Sequence, residues 1–165
     1  MEGGALNARR FFSLATTLVG LAFAVGCGSS GSDEVTVQTG SLSKAEFIAK
    51  ADAICKAART EFLAKFEGFA KSHEIGNKAK EEATFDELLD SLVEPNVEGE
   101  IAKISVLGAS EEYAPEVEAF LSALQERLDK ASEEPTNLSA TPYPFKEAED
   151  TARKAGMNGC AESFS

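Results

Sequence analysis

From residue 43 onward, apolar positions recur at intervals of three and four, the spacing that gathers side chains on one face of a helix. In the first such stretch Phe47, Ala51, Ile54, Ala58, Phe62, Phe66 and Phe69 share a face. Ser43 and Glu46 stand before it at capping-box spacing, so a long helix is expected from Ser43 to about Ser72, closed by a polar turn through Gly76, Asn77 and Lys80. Thr84 and Glu87 repeat the signature. Behind them Phe85, Leu88, Leu89, Leu92, Val97, Ile101, Ile104 and Leu107 form a second stripe. Its phase runs on across Pro95, which favours one kinked helix over two separate ones, stopping near Gly108.

Pro115 suits the first turn of a third helix, whose buried face is Val117, Phe120, Leu121, Leu124 and Leu128. Pro135 bounds that helix, and the segment from Pro135 to Pro144 is expected as extended loop. A shorter fourth helix through Phe145, Ala148, Ala152 and Ala155 ends at Gly156. No segment alternates convincingly with period two, and a strand through Val35 and Val37 lacks support. The expected fold class is therefore all-α, an antiparallel bundle of about four helices with the second kinked at Pro95.

The first 42 residues follow another pattern. Arg9 and Arg10 precede an apolar run from Phe11 to Val25, fifteen residues long. A membrane-spanning helix needs about 20 apolar residues, so a removable export signal over 1–26 is the better reading. The arginines form its charged start. Ala24-Val25-Gly26-Cys27 ends the run. This segment resembles the lipobox of bacterial lipoproteins, in which the cysteine thiol receives a diacylglycerol and the preceding peptide bond is cut. Gly26 and Cys27 match the motif, while Ala24 stands where a branched residue is usual. The resemblance implies a lipid on Cys27 and residence at the cell membrane, on its extracytoplasmic face. Arg9-Arg10-Phe11-Phe12 also resembles a twin-arginine signal, although Ala8 and Ser13 do not extend that match, and both export routes stay open.

Residues 27–42, rich in Gly, Ser and Thr, read as a flexible tether with an end-to-end distance of roughly 20 to 25 Å. Residues 43–165 form the helical domain. The formal net charge is -12, and removing 1–26 takes away two arginines and one glutamate, leaving -13. Such acidity disfavours nucleic acid and direct adhesion to anionic head groups. Membrane contact is expected through the covalent lipid alone, for which two acyl chains suffice.

With Cys27 assigned to lipid, Cys55 and Cys160 remain. An exported chain meets an oxidising compartment, so this pair is expected as a disulfide rather than as free thiols, and no Cys-x-x-Cys suggests redox chemistry. Lys44-Ala45-Glu46-Phe47, Ala51-Asp52-Ala53-Ile54-Cys55, Pro95, Pro144-Phe145 and Gly156-Met157-Asn158-Gly159-Cys160 together resemble small secreted lipoproteins of actinobacteria. That resemblance implies a helical domain with a cysteine pair and implies no activity.

Catalytic and metal-binding constellations do not emerge. His73 is the one histidine, read as a surface residue, and no metal-ligand spacing or cofactor motif accompanies it. Glu81-Glu82, Asp86-Glu87, Glu111-Glu112 and Glu133-Glu134 sit at turns and helix starts, where carboxylates cap and solubilise. Phe62, Phe66 and Phe69 are expected to fill the bundle core, the alternative being a pocket gripping an apolar molecule between helices. The functional expectation is a surface-tethered, non-enzymatic lipoprotein that meets a partner protein in the cell envelope or serves a structural part there. The alternative is an extracytoplasmic binding protein for a small or apolar ligand.

Overall fold

The computed structural model describes residues 35–73, 81–139 and 144–163. The fold is an all-α antiparallel bundle. Its helices are α1 (Lys44–Ser72), α2 (Glu81–Leu88), α3 (Glu94–Ser105), α4 (Ala114–Glu133), α5 (Lys146–Ala155) and α6 (Asn158–Ser163). Among the described residues, none of them is long and apolar enough to cross a membrane.

α1 begins as its sequence dictates. The Ser43 hydroxyl accepts from the Glu46 N–H while the Glu46 carboxylate accepts from the Ser43 N–H, so two donors of the open helix end are satisfied reciprocally. The Ser43 hydroxyl, which donates to the Glu46 carboxylate at 2.6 Å, and after it the Ser43 N–H hold that carboxyl below its usual range. Lys44 ties the same end of α1 to α4, reaching Glu116 at 2.6 Å with its ammonium 4.4 Å from the centre of the Tyr113 ring.

The second apolar stripe does form one continuous rod. Between α2 and α3, Leu89–Val93 widens to a π-helical turn in which the Glu94 N–H reaches the Leu89 carbonyl, five residues back. Pro95 follows in the first turn of α3. Because proline has no N–H to donate, the ladder must be interrupted there in any case, and the wider turn absorbs the break without changing which face is buried. The expected capping box at Thr84 and Glu87 does not form, since Thr84 lies inside α2. Glu81, Glu82 and Ala83 are good helix formers, and they carry the helix back past that position.

α4 opens with Pro115 in its first turn, as expected. Pro135 ends it, but Pro135–Ser139 coils into a 3-10 turn rather than extending. α5 stops at Gly156, and the chain then re-enters a helix, α6, that the expectation of four helices did not contain. Its six residues are too few to show a period.

The last eight residues of the expected tether, 35–42, are ordered against the helices. Val37 is buried, and Thr39–Leu42 forms a strand, β1, whose bridges run to Ala109. The Gln38 N–H donates to the Ser105 carbonyl at 2.8 Å, and the Ala109 N–H donates to the Gln38 carbonyl at 3.0 Å. Gly40 makes this possible. A Cβ there would stand 2.7 Å from the Gly108 Cα, so only a bare backbone can lie this close. Residues 35–42 thus belong to the folded body, whereas 27–34 lie outside the described residues.

The core gathers Phe47, Phe120, Leu121, Leu124, Ile104 and Met157, all fully buried. Phe47 and Tyr113 meet edge to face with centroids 5.5 Å apart. The Tyr113 hydroxyl donates to the Ala155 carbonyl at 2.7 Å, fastening α4 to the end of α5. Burial pushes that hydroxyl's pKa up to about 12.

Candidate functional site

Cys55 and Cys160 are joined, with Cα atoms 4.9 Å apart across a sequence separation of 105. The bond links α1 to α6, which also packs on α5. Both cysteines are fully buried. Cys27, Arg9 and Arg10 lie outside the described residues.

Beyond Ala58 the stripe of α1 continues toward the α2–α3 rod. Here Phe62 and Phe66 stack with centroids 5.8 Å apart and planes 16° from parallel. They do not fill the core. Both are only partly buried, and together with Phe85, Leu88, Val97 and Phe145 they wall a cavity of about 320 Å³. That size falls within the range of about 300 to 1,000 Å³ usual for small-molecule sites. Phe69, one turn further, is buried as expected. The Asn96 side chain lines the same cavity and donates to the Ala58 carbonyl at 3.1 Å, fixing α3 against α1.

Glu100 is the group that sequence reasoning missed. It lines the cavity with 2% of its surface exposed, and its Oε1 has no hydrogen-bond partner among the described residues. Burial raises its pKa to about 8, against a smaller opposing pull from Lys103. An unpaired carboxylate in such surroundings is costly, and holding the proton is the cheaper state. A signal was present in the sequence, since Glu100 falls three residues after Val97 and four before Ile104, in phase with the buried stripe. Arg59 also lines the cavity, and its guanidinium donates to the Glu162 backbone carbonyl. Glu100 is the one carboxylate among the described lining residues. A smaller cavity of about 130 Å³ shares Phe62 and Asn96 and is lined by Glu61, Lys65 and Lys103.

His73 is more than a surface residue. With 26% of its side chain exposed, it stacks on Phe69 at 4.0 Å between centroids. Its Nδ1 faces the Phe69 carbonyl at 2.9 Å, and Nε2 meets Glu87 of α2 at 2.9 Å. The Phe69 carbonyl, and after it Glu87, hold the imidazolium above its usual pKa. The arrangement staples the end of α1 to α2. No cluster of three metal-ligating side chains occurs among the described residues.

In chemical terms, the large cavity can enclose an apolar body and present one carboxyl group to it. No protein-family model, curated protein or solved structure matches this chain.

Proposed function

We propose that this chain is a lipid-anchored, non-enzymatic binding protein of the cell envelope that holds a small, mainly apolar ligand between α1 and the α2–α3 rod. The observation that carries the reading is the cavity of about 320 Å³, walled by phenylalanines that a bundle of this size would otherwise pack into its core. Aromatic walls with a few placed polar groups are the usual make-up of such a site. A partner-protein role has less to stand on. Leu63 and Val106 are the large apolar side chains left exposed among the described residues, well short of the contiguous patch that docking needs.

The anchor is the diacylglycerol on Cys27, supported by the charged start, the short apolar run and the Gly26-Cys27 junction. Labelling of cells with a radioactive fatty acid tests it. Label is expected on the wild-type protein and not on Cys27→Ala, and an unlabelled wild type removes the anchor. For the cavity, the environment-sensitive dye N-phenyl-1-naphthylamine is titrated into the purified protein. Saturable binding at one site per chain is expected, competed by apolar compounds, and a flat titration of folded protein refutes the reading.

A further inference from the structure

The same cavity indicates the chemistry of what it holds, an inference that rests on the binding reading above. We propose that it takes a small lipophilic amine, bound as the ammonium ion, with nitrogen on Glu100 Oε1 and the apolar body among the phenylalanine rings. Glu100 Oε1 is buried with no hydrogen-bond partner among the described residues. The protonated carboxyl can give its one O–H to a neutral acceptor such as a ketone, but only a ligand with donors lets it ionise, and an ammonium supplies both the donors and the opposite charge. The rings of Phe62, Phe66, Phe85 and Phe145 line the space around it, and aromatic faces attract cations. The chain's net charge of -12 draws cations and repels anions at long range.

The charged groups around the cavity lie on α1, α3 and α4. Lys103, on α3 itself, is the cation that acts on the carboxyl. Arg59 of α1 lines the same cavity and donates to the Glu162 carbonyl, a bond that directs the guanidinium but leaves its positive charge, which opposes an ammonium there. On α4, which also packs against α3, Arg127 is paired with Glu147 at 2.7 Å. From α2, the π-helical turn and the 3-10 turn the cavity receives Phe85, Leu88, Val93 and Leu138, which carry no charge.

Binding has a proton balance. In the free protein the carboxyl keeps its proton up to about pH 8. The ammonium enters charged, the Glu100 O–H bond breaks, its proton leaves to solvent, and a charge-assisted hydrogen bond forms between nitrogen and carboxylate. Close to one proton is therefore released per ligand near pH 7. Affinity should rise about tenfold from pH 6 to pH 7 and level off above about pH 8, while the amine itself stays charged to about pH 10.

The test is calorimetric titration of the full chain, disulfide intact, with n-decylamine, decan-1-ol and decanoic acid, in buffers of different ionisation enthalpy. Expected is binding of the amine at least about tenfold tighter than the alcohol, proton release near one, and the stated pH profile. Glu100→Gln should bind amine and alcohol alike, with no pH dependence. Amine binding without proton release, or weaker than either analogue, overturns the amine assignment while leaving the apolar site standing. Failure of all three probes to bind overturns both. The wild-type proton count decides the matter even if Glu100→Gln does not fold.

Discussion

Asp52 Oδ1 accepts the backbone N–H of Cys160 at 3.0 Å, so a side chain of α1 caps the first turn of α6 in the residue that also carries the disulfide. The contact leaves no room at Gly159, where a Cβ would stand 2.7 Å from the Asp52 Cβ and Cγ. Asp52→Ala should cost about 1 kcal/mol, the usual value of a lost helix cap. Gly159→Ala should cost more, because backbone must move. Urea denaturation of both variants checks the order, and a neutral Gly159→Ala would contradict it.

The disulfide should contribute a larger share. Closing a loop of about a hundred residues gives up to roughly 4 to 5 kcal/mol in the chain-entropy model. The double variant Cys55→Ala, Cys160→Ala is expected to lower the urea midpoint strongly, and its α6 amides should exchange hydrogen faster than the rest. Uniform protection across α1 and α6 in that variant would count against the link holding the tail.

Glu100 makes the empty protein less stable as pH rises. Its folded pKa of about 8 lies above the ordinary value of 4.5, so the penalty is absent below about pH 4.5. It grows between 4.5 and 8, where the unfolded chain has released a proton that the folded chain still holds, and is constant above. Full development of that difference is on the order of 5 kcal/mol. Glu100→Met, similar in volume and without charge, should be more stable than wild type at pH 8 and nearly equal at pH 4.5. Thermal melts across this range check the sign.

His73 acts in the same direction for a different reason. The Phe69 carbonyl and Glu87 favour its protonated form in the fold, so its contribution is full below the ordinary imidazole pKa of 6.5 and is lost as pH rises through the elevated folded value. His73→Gln should remove a part of the pH dependence that Glu100→Met leaves in place. An NMR titration placing the imidazole at or below 6.5 would refute the staple's electrostatic part.

Helix faces were legible because burial and the helical repeat leave the same mark on sequence. The phase of the stripe across Pro95 foretold a continuous rod, though not the π-helical turn that carries it. Thr84 misled because capping residues also occur inside helices when better helix formers precede them. β1 and α6 are too short for a period to show, and Gly40 against Gly108 is a close approach between segments far apart in sequence. The cavity is the harder case. Phe62 and Phe66 have the spacing of core residues, and spacing cannot tell a filled interior from a lined one. Glu100 could have told them apart, since a carboxylate in phase with a buried stripe requires a reason.

That distinction separates stability from binding. Phe47 is fully buried against Tyr113, and Phe47→Ala should cost about 3 to 5 kcal/mol, since neighbours on every side lose contacts and a void remains. Phe66 borders a space already empty of protein and is only partly buried, so Phe66→Ala removes fewer contacts and opens no new enclosed void. Its cost should stay below about 2 kcal/mol, with the fold intact by circular dichroism. Dye affinity should respond in the opposite order, falling at least several-fold in Phe66→Ala because the stacked partner of Phe62 is gone. Parallel measurement of urea midpoints and dye titrations on the two variants tests this. If Phe66→Ala proves as destabilising as Phe47→Ala and leaves dye affinity unchanged, then Phe66 is core and the cavity is not the binding site.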